Sequence, residues 1–303
     1  MNKKGILVTL ATAVALAACA GGDSNGPSEN GTGFLSLGVS DAPIHSAKKV
    51  CITFDDVELK PAGEDEPFLV DLPETKVNLL AFQGMNAAPL LVNEGVPAGE
   101  YEWMRLLIDA SAGGNGGLGD DVMDLDNCTG DASYIVMDDD TVHNVWVPSG
   151  DQTGLKLVNG FTVPINGTAD FTAEWDLMRS MVAPPGLAPD VILKPTIKLV
   201  NNADVGALMG NVSTDLTDVE GCEPSVFVFA EGIAPNPDDE VDDALATGIV
   251  DTDTNRYEIG FLLAGSYNVA FTCDGTTFEP EAGAPVTIGA GEIVELDFPV
   301  TAN

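Results

Sequence analysis

Short runs of alternating hydrophobic and polar residues occupy most of the chain from Phe34 onward. In FLSLGVS every second side chain is apolar, which predicts a strand with one buried face. In KVCITFDDVELK the apolar residues keep one phase over positions 50–54 and another over 57–59. This change of phase, at Asp55 and Asp56, predicts a bulge or bend within one long strand.

Similar runs follow along the rest of the chain, while helical spacing is rare. Up to residue 200 the strand-like runs are VPAGEYEWMRLLIDA, SYIVMDDDTVHNVWVPS (a hairpin with an acidic turn), FTVPI, TADFTAEWDL and VILKPTIKLV. TKVNLLAFQG and LMRSMV predict helical turns only. After a composition break at 201–208 come GALMGNVS, SVFVFAEG, ATGIVDTD, RYEIGFL, GSYNVAFTC, APVTIGA and IVELDFPV. Seven short strands with turn signals between them are typical of a β-sandwich.

These patterns predict an all-β protein with two tandem β-sandwich domains. The first domain is expected at 34–201 and the second at 205–303. A chain of 303 residues is long enough for two domains of ordinary size.

The first residues, MNKKGILVTLATAVALAACAGG, have the pattern of a secretory signal. Lys3 and Lys4 precede an apolar stretch that is too short to span a bilayer, and small residues follow it. LAAC at 16–19 resembles the lipobox of bacterial lipoproteins, which implies a signal peptide at 1–18 and lipidation of Cys19. An ordinary Ala-x-Ala signal, with Cys19 present by chance, is the alternative.

Two further features bear on where the protein resides. Residues 19–33 have no large apolar side chain and are rich in Gly, Ser and Asn, which predicts a flexible tether. In lipoproteins an aspartate after the lipidated cysteine favours retention in the inner membrane, and this chain has Ala20 there. The protein is therefore expected in the outer membrane, anchored by lipid, on its periplasmic or its surface face.

The charge balance excludes some partners. The chain has 48 acidic and 12 basic residues, and two of the basic ones lie in the predicted signal peptide. Such a surface repels nucleic acid and an anionic membrane face, so membrane attachment is expected through the lipid alone. Solubility in a saline habitat and binding of divalent cations are two explanations for the excess of acidic residues.

Four cysteines remain after Cys19, and outside the inner membrane they are expected to form disulfides. Four cysteines allow three pairings. The predicted domain division selects Cys51–Cys128 and Cys222–Cys273, because each pair then lies within one domain. Metal ligation by these cysteines is not expected, since none lies in a CxxC arrangement.

The C-terminal run ATGIVDTDTNRYEIGFLLAGSYNVAFTCDG resembles the carboxypeptidase-regulatory, or transthyretin-like, sandwich family. The matching positions are Gly248, Asp253, Asn255, Tyr257, Leu262, Gly265, Tyr267 and Val269. Arg256 replaces the usual glycine, so the turn before it is expected to deviate from the family. The resemblance implies an accessory sandwich module, and some related sandwiches bind carbohydrate.

Residues 34–200 resemble a bacterial lipoprotein family known only as a domain of unknown function. The resemblance rests on SDAP at 40–43, VPSGDQTGLKL at 147–157, AEWDLMRS at 173–180 and LKP at 193–195. It implies a secreted, often lipid-anchored, β-rich domain with no established catalysis. Trp175 stands where the family more often has phenylalanine.

Motifs of catalysis are weak in this sequence. VPSGDQTGLKL departs from the phosphate-binding G-x-x-x-x-G-K-[ST] loop, since Lys156 comes one position late and Leu157 replaces the hydroxyl residue. It is read as a loop between strands. His45 and His143 are the two histidines, and no G-x-S-x-G motif is present, so the protein is not expected to be an enzyme.

Calcium is the one candidate cofactor. Calcium binds six to eight oxygens, often from alternating carboxylates in a turn. Of three acidic clusters, DLDNCTGD is the preferred one, with Asp124, Asp126 and Asp131 as candidate ligands. DDD at 138–140 is a second candidate, and DTDTN at 251–255 is better explained as a hairpin turn.

The few basic residues of the body fall in or beside the family-like motifs. Structural ion pairs are the preferred interpretation, with Arg179 pairing Asp41 or Asp176, and Lys156 and Lys194 taking similar roles. A small basic patch that receives an acidic ligand is the alternative.

The sequence therefore predicts a lipid-anchored, non-catalytic module of the cell envelope that binds a glycan or a surface protein or has a structural role. A calcium- or carboxylate-dependent hydrolase of extracellular polymers is the alternative. Trp103, Trp146 and Trp175 are the side chains to locate, because exposed aromatic rings would favour glycan binding.

Overall fold

The computed structural model describes residues 31–42, 44–45, 47–110, 123–124, 127–130, 132–147, 154–182, 190–194, 196–236 and 243–299. The predicted signal peptide, Cys19, most of the tether, Asp126 and Asp131 lie outside these residues. Within them, no helix has the length and apolar character needed to cross a membrane.

Strands make up nearly all of the regular structure, so the prediction of an all-β fold is confirmed. In the part of the chain that the structure describes, thirteen strands precede residue 202: β1 (Thr32–Ala42), β2 (Ala47–Pro61), β3 (Phe68–Asn78), β4 (Ala88–Pro97), β5 (Gly99–Asp109), β6 (Tyr134–Met137), β7 (Val142–Trp146), β8 (Leu155–Leu157), β9 (Phe161–Val163), β10 (Thr168–Asp176), β11 (Met181–Val182), β12 (Asp190–Leu193) and β13 (Ile197–Asn201). Seven follow: β14 (Val205–Asn211), β15 (Ser225–Ala230), β16 (Ala246–Ile249), β17 (Arg256–Leu263), β18 (Gly265–Thr272), β19 (Phe278–Ile288) and β20 (Ile293–Glu295).

Helical structure in the described part of the chain is limited to single turns. They are a 3-10 turn (Leu79–Ala81), α1 (Leu177–Ser180) and α2 (Thr214–Thr217). The first two fall where TKVNLLAFQG and LMRSMV predict helical turns.

The first thirteen strands form two sheets that face each other. One sheet has four strands in the order β13-β10-β1-β4, and the other has nine, with the path β11-β12-β7-β6-β2-β5-β8 and with β3 on β2 and β9 on β5. One large apolar cluster, which includes Leu37, Phe54, Leu106 and Trp175, fills the space between them. Burial of such side chains, at about 25 cal/mol per Å² of apolar surface, is the main force that holds the two sheets together. We call this unit the N-terminal sandwich.

The last seven strands form a second pair of sheets, with the orders β17-β14-β20 and β16-β15-β18-β19. Val226 and Val228 of β15 point into the core between these sheets, while Phe227 and Phe229 join a smaller cluster on the other face. Both faces of β15 are therefore buried, which explains its unbroken apolar sequence. We call this unit the C-terminal sandwich.

Three local predictions agree with the structure. The pairing register of β2 with β3 shifts between Phe54 and Asp56, which is where the sequence predicts a bulge. Strands β6 and β7 pair antiparallel across the acidic turn 138–140, as expected of a hairpin. Disulfides join Cys51 to Cys128 and Cys222 to Cys273, so the predicted pairing is confirmed.

Other elements differ from the prediction. Strands β3 and β4 are not among the predicted runs. In β3, Pro73 and the polar residues after it interrupt the alternation, yet its backbone pairs with β2, and β4 pairs with β1. VILKPTIKLV, expected as one strand, divides into β12 in the nine-stranded sheet and β13 in the four-stranded sheet. The turn in DTDTN is closed by an Asp251–Arg256 bridge, but it connects β16 and β17, which lie in different sheets.

Candidate functional site

Two of the sequence motifs meet because β1 and β10 pair in parallel. The register sets Ser40 opposite Glu174, Asp41 opposite Trp175, and Ala42 opposite Asp176. SDAP and AEWDLMRS, more than 130 positions apart, therefore lie side by side at the same end of the four-stranded sheet. This end faces the C-terminal sandwich, and we call the contact region the junction.

The junction contains an acidic cluster of Asp41, Glu174 and Asp176. The Asp41 side chain is almost fully buried, and this burial, followed by the charge of Asp176, raises the pKa of Asp41 well above its usual value. Burial also raises the pKa of Glu174 to about 7, although the charge of Lys198 acts in the opposite direction. At mildly acidic pH, Glu174 is therefore protonated in the folded protein.

Two cations of the N-terminal sandwich hold the C-terminal sandwich directly. The Arg179 guanidinium donates a hydrogen bond to the carbonyl of Ala244, and the Lys198 ammonium donates to the carbonyl of Leu245. Arg179 also pairs with Asp176, with 3.4 Å between Nε and Oδ2, and its backbone N–H donates to Asp176 Oδ1. Of the two carboxylates expected to pair with Arg179, the structure places Asp176 beside it.

The backbones of the two sandwiches approach closely at a pair of glycines. A Cβ on Gly260 would lie 2.1 Å from the carbonyl oxygen of Gly84, so only glycine fits there without a shift. Next to this contact the backbone N–H of Met85 donates to Glu258 Oε1 at 2.7 Å. A cavity of about 10 Å³, lined by residues of both sandwiches that include Asp41 and Glu174, lies at the same place and has room for about one water.

A wider groove beside the junction brings both histidines together. His45 and His143 line one part of it with Asp138, Asp139 and Glu223. The adjoining part, about 480 Å³, is lined by His45, Glu223, Ser225, Asp274 and Thr276 among others. Within the described ranges, no three His, Cys, Asp or Glu side chains are grouped to hold a metal ion.

The groove contains a serine–histidine pair whose hydrogen bonds are structural. His45 Nε2 lies 2.7 Å from Ser225 Oγ, and Ser225 Oγ donates to the carbonyl of Glu223 at 3.1 Å. With its hydroxyl proton on that carbonyl, Ser225 accepts from His45 in the Nε2–H tautomer. A histidine that activates a serine must instead accept the hydroxyl proton. Ser225 is buried, and the pair joins the two sandwiches.

The loop proposed for calcium is organised by a buried lysine that the sequence analysis did not consider. Lys49 is fully buried, and its ammonium donates to the carbonyls of Asp124 and Asn127 and lies over the ring of Tyr134. The positive charge of this ammonium disfavours a calcium ion close to it. Two of the three candidate ligands, Asp126 and Asp131, lie outside the described residues, so the calcium site stays a prediction. The predicted disulfide already indicated this contact, because pairing Cys51 with Cys128 places Lys49 near residue 127.

Lys156 and Lys194 differ from the expected ion pairs. The Lys156 ammonium lies 4.4 Å from the centre of the Trp103 ring, and none of the described carboxylates is within ion-pair distance of it. Lys194 is exposed, and its backbone N–H donates to the carbonyl of Ser180. The turn within VPSGDQTGLKL lies outside the described residues, but the strands β7 and β8 flank it as predicted.

The tryptophans do not form an aromatic platform. Trp175 is completely buried and packs edge to face on Phe54 at 6.2 Å. Trp103 and Trp146 are partly buried, and Trp103 has Arg105 as well as Lys156 over its ring. Only Trp175 is therefore excluded as a contact surface for a glycan, while Trp103 and Trp146 keep part of their surface exposed.

Replacing Arg179 with alanine is expected to destabilise the protein by about 2 kcal/mol, because a hydrogen bond from a charged donor and the contact with Asp176 are lost. Denaturant unfolding of the purified chain measures this. Lys194→Ala, an exposed lysine of the same sandwich, is the control and should change stability by less than about 0.5 kcal/mol. Equal effects of the two substitutions would show that Arg179 does not hold the junction.

Comparison with known families identifies one match. The family described as a domain of unknown function (DUF4382) matches residues 32–195, which is more than half of the chain and includes the SDAP, AEWDLMRS and LKP motifs. No curated protein sequence matches the chain.

Solved structures with some similarity include a protein of Bacillus anthracis and two pilins. The TIE protein of Bacillus anthracis is 12% identical with a TM-score of 0.22; the match covers 88% of this chain but 33% of that one, so the chain spans a third of its length. The minor pilin GBS52 of Streptococcus agalactiae is 9% identical over 87% of this chain and 94% of the pilin, with a TM-score of 0.21. The shaft pilin spaA of Lactobacillus rhamnosus GG is 10% identical over 90% and 99%, also with 0.21. TM-scores this low carry no argument about function.

Proposed function

The chain belongs to the DUF4382 family, and from this premise we propose that it is a non-catalytic binding or structural module of the cell envelope, anchored in the outer membrane by lipid on Cys19. The C-terminal sandwich is proposed to be a carboxypeptidase-regulatory-like accessory domain, and the domains are proposed at 34–201 and 205–303. The ligand class considered is a glycan or a surface protein.

One observation carries the non-catalytic part of the proposal. Three side chains of types that often serve in catalysis are engaged in contacts between the sandwiches: His45 with Ser225, Arg179 with the carbonyl of Ala244, and Lys198 with that of Leu245. A group whose hydrogen bonds hold two units together is not available for proton transfer or for charge stabilisation. The junction thus favours a rigid two-sandwich body over a hydrolytic cleft.

Two sequence features support the location. LAAC at 16–19 precedes a polar tether, and the chain has two disulfides, which persist in an oxidising compartment. Stable anchoring in a membrane normally requires more than one acyl chain. In lipoproteins the lipobox cysteine acquires these chains.

The anchoring is tested with Cys19→Ser in the full chain expressed in a Gram-negative host. Wild-type protein is expected to incorporate labelled palmitate and to sediment with the outer membrane, whereas the Cys19→Ser protein should carry no label and remain soluble in the periplasm. Cys51→Ser/Cys128→Ser, which removes other cysteines, is the control and should still be labelled. Palmitate incorporation into Cys19→Ser would refute lipidation at this residue.

A further inference from the structure

A small basic patch lies on the outer face of the nine-stranded sheet, away from the junction. On β5 and β8, Met104 pairs with Leu157, and both are buried in the core. Because side chains alternate along a strand, the neighbouring pair Arg105 and Lys156 points outward. Trp103, two positions before Arg105, shares this outer face. We call Trp103, Arg105 and Lys156 the basic patch.

Among the described residues, the basic patch and its partner Glu58 carry one more positive than negative charge. Arg105 and Lys156 are directly opposite each other on adjacent strands, an arrangement that like charges disfavour. Glu58 of β2, opposite Arg105 on its other side, compensates one charge, with 2.6 Å between Arg105 Nη1 and Glu58 Oε2. The Lys156 ammonium has the indole of Trp103 as its neighbour, and the described residues offer it no carboxylate. In a chain with 48 acidic residues, a cation without a neighbouring carboxylate is unusual.

The basic patch is open to solvent. Lys156 is exposed, and the side chains of Arg105 and Glu58 keep 22% and 23% of their surface. Leu69, opposite Glu58 on β3, is an apolar side chain with 48% exposure at the border of the patch. A ligand can therefore reach a cation, a planar guanidinium, an indole and an apolar side chain on one face of the sheet.

We propose that the basic patch binds a carboxylated sugar residue, which is a uronic acid within a polysaccharide. The carboxylate of the sugar compensates the excess positive charge by accepting hydrogen bonds from Lys156 and Arg105. As the Lys156 ammonium turns toward the carboxylate, it uncovers part of the Trp103 ring, and this part then contacts the apolar face of the sugar while the Arg105 guanidinium stays over the ring. This inference rests on the proposed function, since it names the ligand class of a non-catalytic binding module.

Charge favours a sugar over an acidic peptide. The patch compensates one carboxylate, and the rest of a surface with a formal net charge of −36 repels further negative charges near it. A peptide with adjacent acidic side chains brings several such charges at once. A polysaccharide presents one carboxylate per ring, each at a sugar's length from the next.

The test uses the full mature chain with Cys19→Ser and three probes of similar length: oligogalacturonic acid, its methyl ester and polyglutamate. Titration calorimetry and tryptophan fluorescence, to which Trp103 contributes, report binding. Binding is expected for oligogalacturonic acid, together with a fluorescence change, and not for the ester or the peptide. Lys156→Met should weaken it roughly tenfold, as expected for one charge-assisted hydrogen bond. Lys194→Met, an exposed lysine elsewhere, should bind as wild type does.

The outcomes separate this inference from the proposed function. Equal binding by Lys156→Met and wild type would overturn the site while leaving a binding module intact. Stronger binding of polyglutamate would assign the basic patch to an acidic protein partner and overturn the sugar. Absence of binding to all three probes would also overturn the proposed sugar site. Failure of the palmitate labelling would bear only on the lipid anchor. Thermal unfolding of both variants verifies that the fold is retained.

Discussion

Replacing Lys49 with methionine is expected to lower the free energy of unfolding by about 3 kcal/mol, since two hydrogen bonds from a charged donor are lost and two carbonyls remain unpaired. Methionine keeps most of the side-chain volume, so the loss reports the ammonium rather than a cavity. The Lys49 side chain is fully buried and binds the carbonyls of Asp124 and Asn127 next to the Cys51–Cys128 disulfide. Chemical denaturation with the disulfides intact measures the change.

The chain offers a matched control in the preceding residue. Lys48 makes a salt bridge of 2.7 Å with Asp140, and both side chains are substantially exposed to solvent. Such pairs contribute little, so Lys48→Met should change stability by less than about 1 kcal/mol. If Lys49→Met were as stable as Lys48→Met, the buried ammonium would not organise the loop.

The stability of the protein is expected to fall as the pH rises from about 4.5 to about 7, because of Glu174. Burial at the junction raises the pKa of this carboxyl from 4.5 to about 7. The folded state therefore holds a proton that the unfolded state has already released. The stabilisation is complete below pH 4.5 and is lost as the pH passes through 7, an effect on the order of 3 kcal/mol. Asp41, whose pKa is also raised by burial, adds a change of the same sign.

The measurement compares the free energy of unfolding at pH 5 and pH 8 in wild type and Glu174→Gln. The substitution should remove most of the decline, because glutamine stays neutral throughout. Burial lowers the pKa of His45, which acts in the opposite direction by reducing stability as the pH falls below 6.5; the difference between the two proteins isolates Glu174. Glu94→Gln, an exposed residue of the same sheet, is the control. If the free energy of unfolding of Glu174→Gln fell as much between pH 5 and pH 8 as that of wild type, the decline would belong to another titrating group.

Much of the local structure follows from the sequence because it depends on neighbouring residues. The phase change at Asp55 and Asp56 marks the bulge in β2, since a β-bulge shifts the alternation of side chains by one position. The acidic turn between β6 and β7 follows from alternation on either side of polar residues. The missed strand β3 has an irregular pattern, so pairing with β2 decides its conformation.

The candidate site depends on contacts that no local pattern contains. Arg179 had two plausible carboxylates in the sequence, and the turn α1, which begins after Asp176, decides between them. His45 and Ser225 are 180 positions apart, and no periodicity relates them. The same holds for Lys49, whose partners lie 75 and 78 positions away.

The pairing of the four cysteines followed from the predicted division into two domains. The sequence by itself determined most of the strand pattern, the all-β class and the family motifs. Each of these depends on the alternation of apolar residues, on composition or on short ordered motifs, which are properties of adjacent positions. Only the tertiary structure decided what the motifs do. The parallel register of β1 and β10 joins Asp41 to Glu174 and Asp176 against the C-terminal sandwich, and the pairing of β5 with β8 sets Lys156 beside Trp103. Strand partners and registers are chosen by the packing of the whole core, so the charges they bring together cannot be read from any one segment.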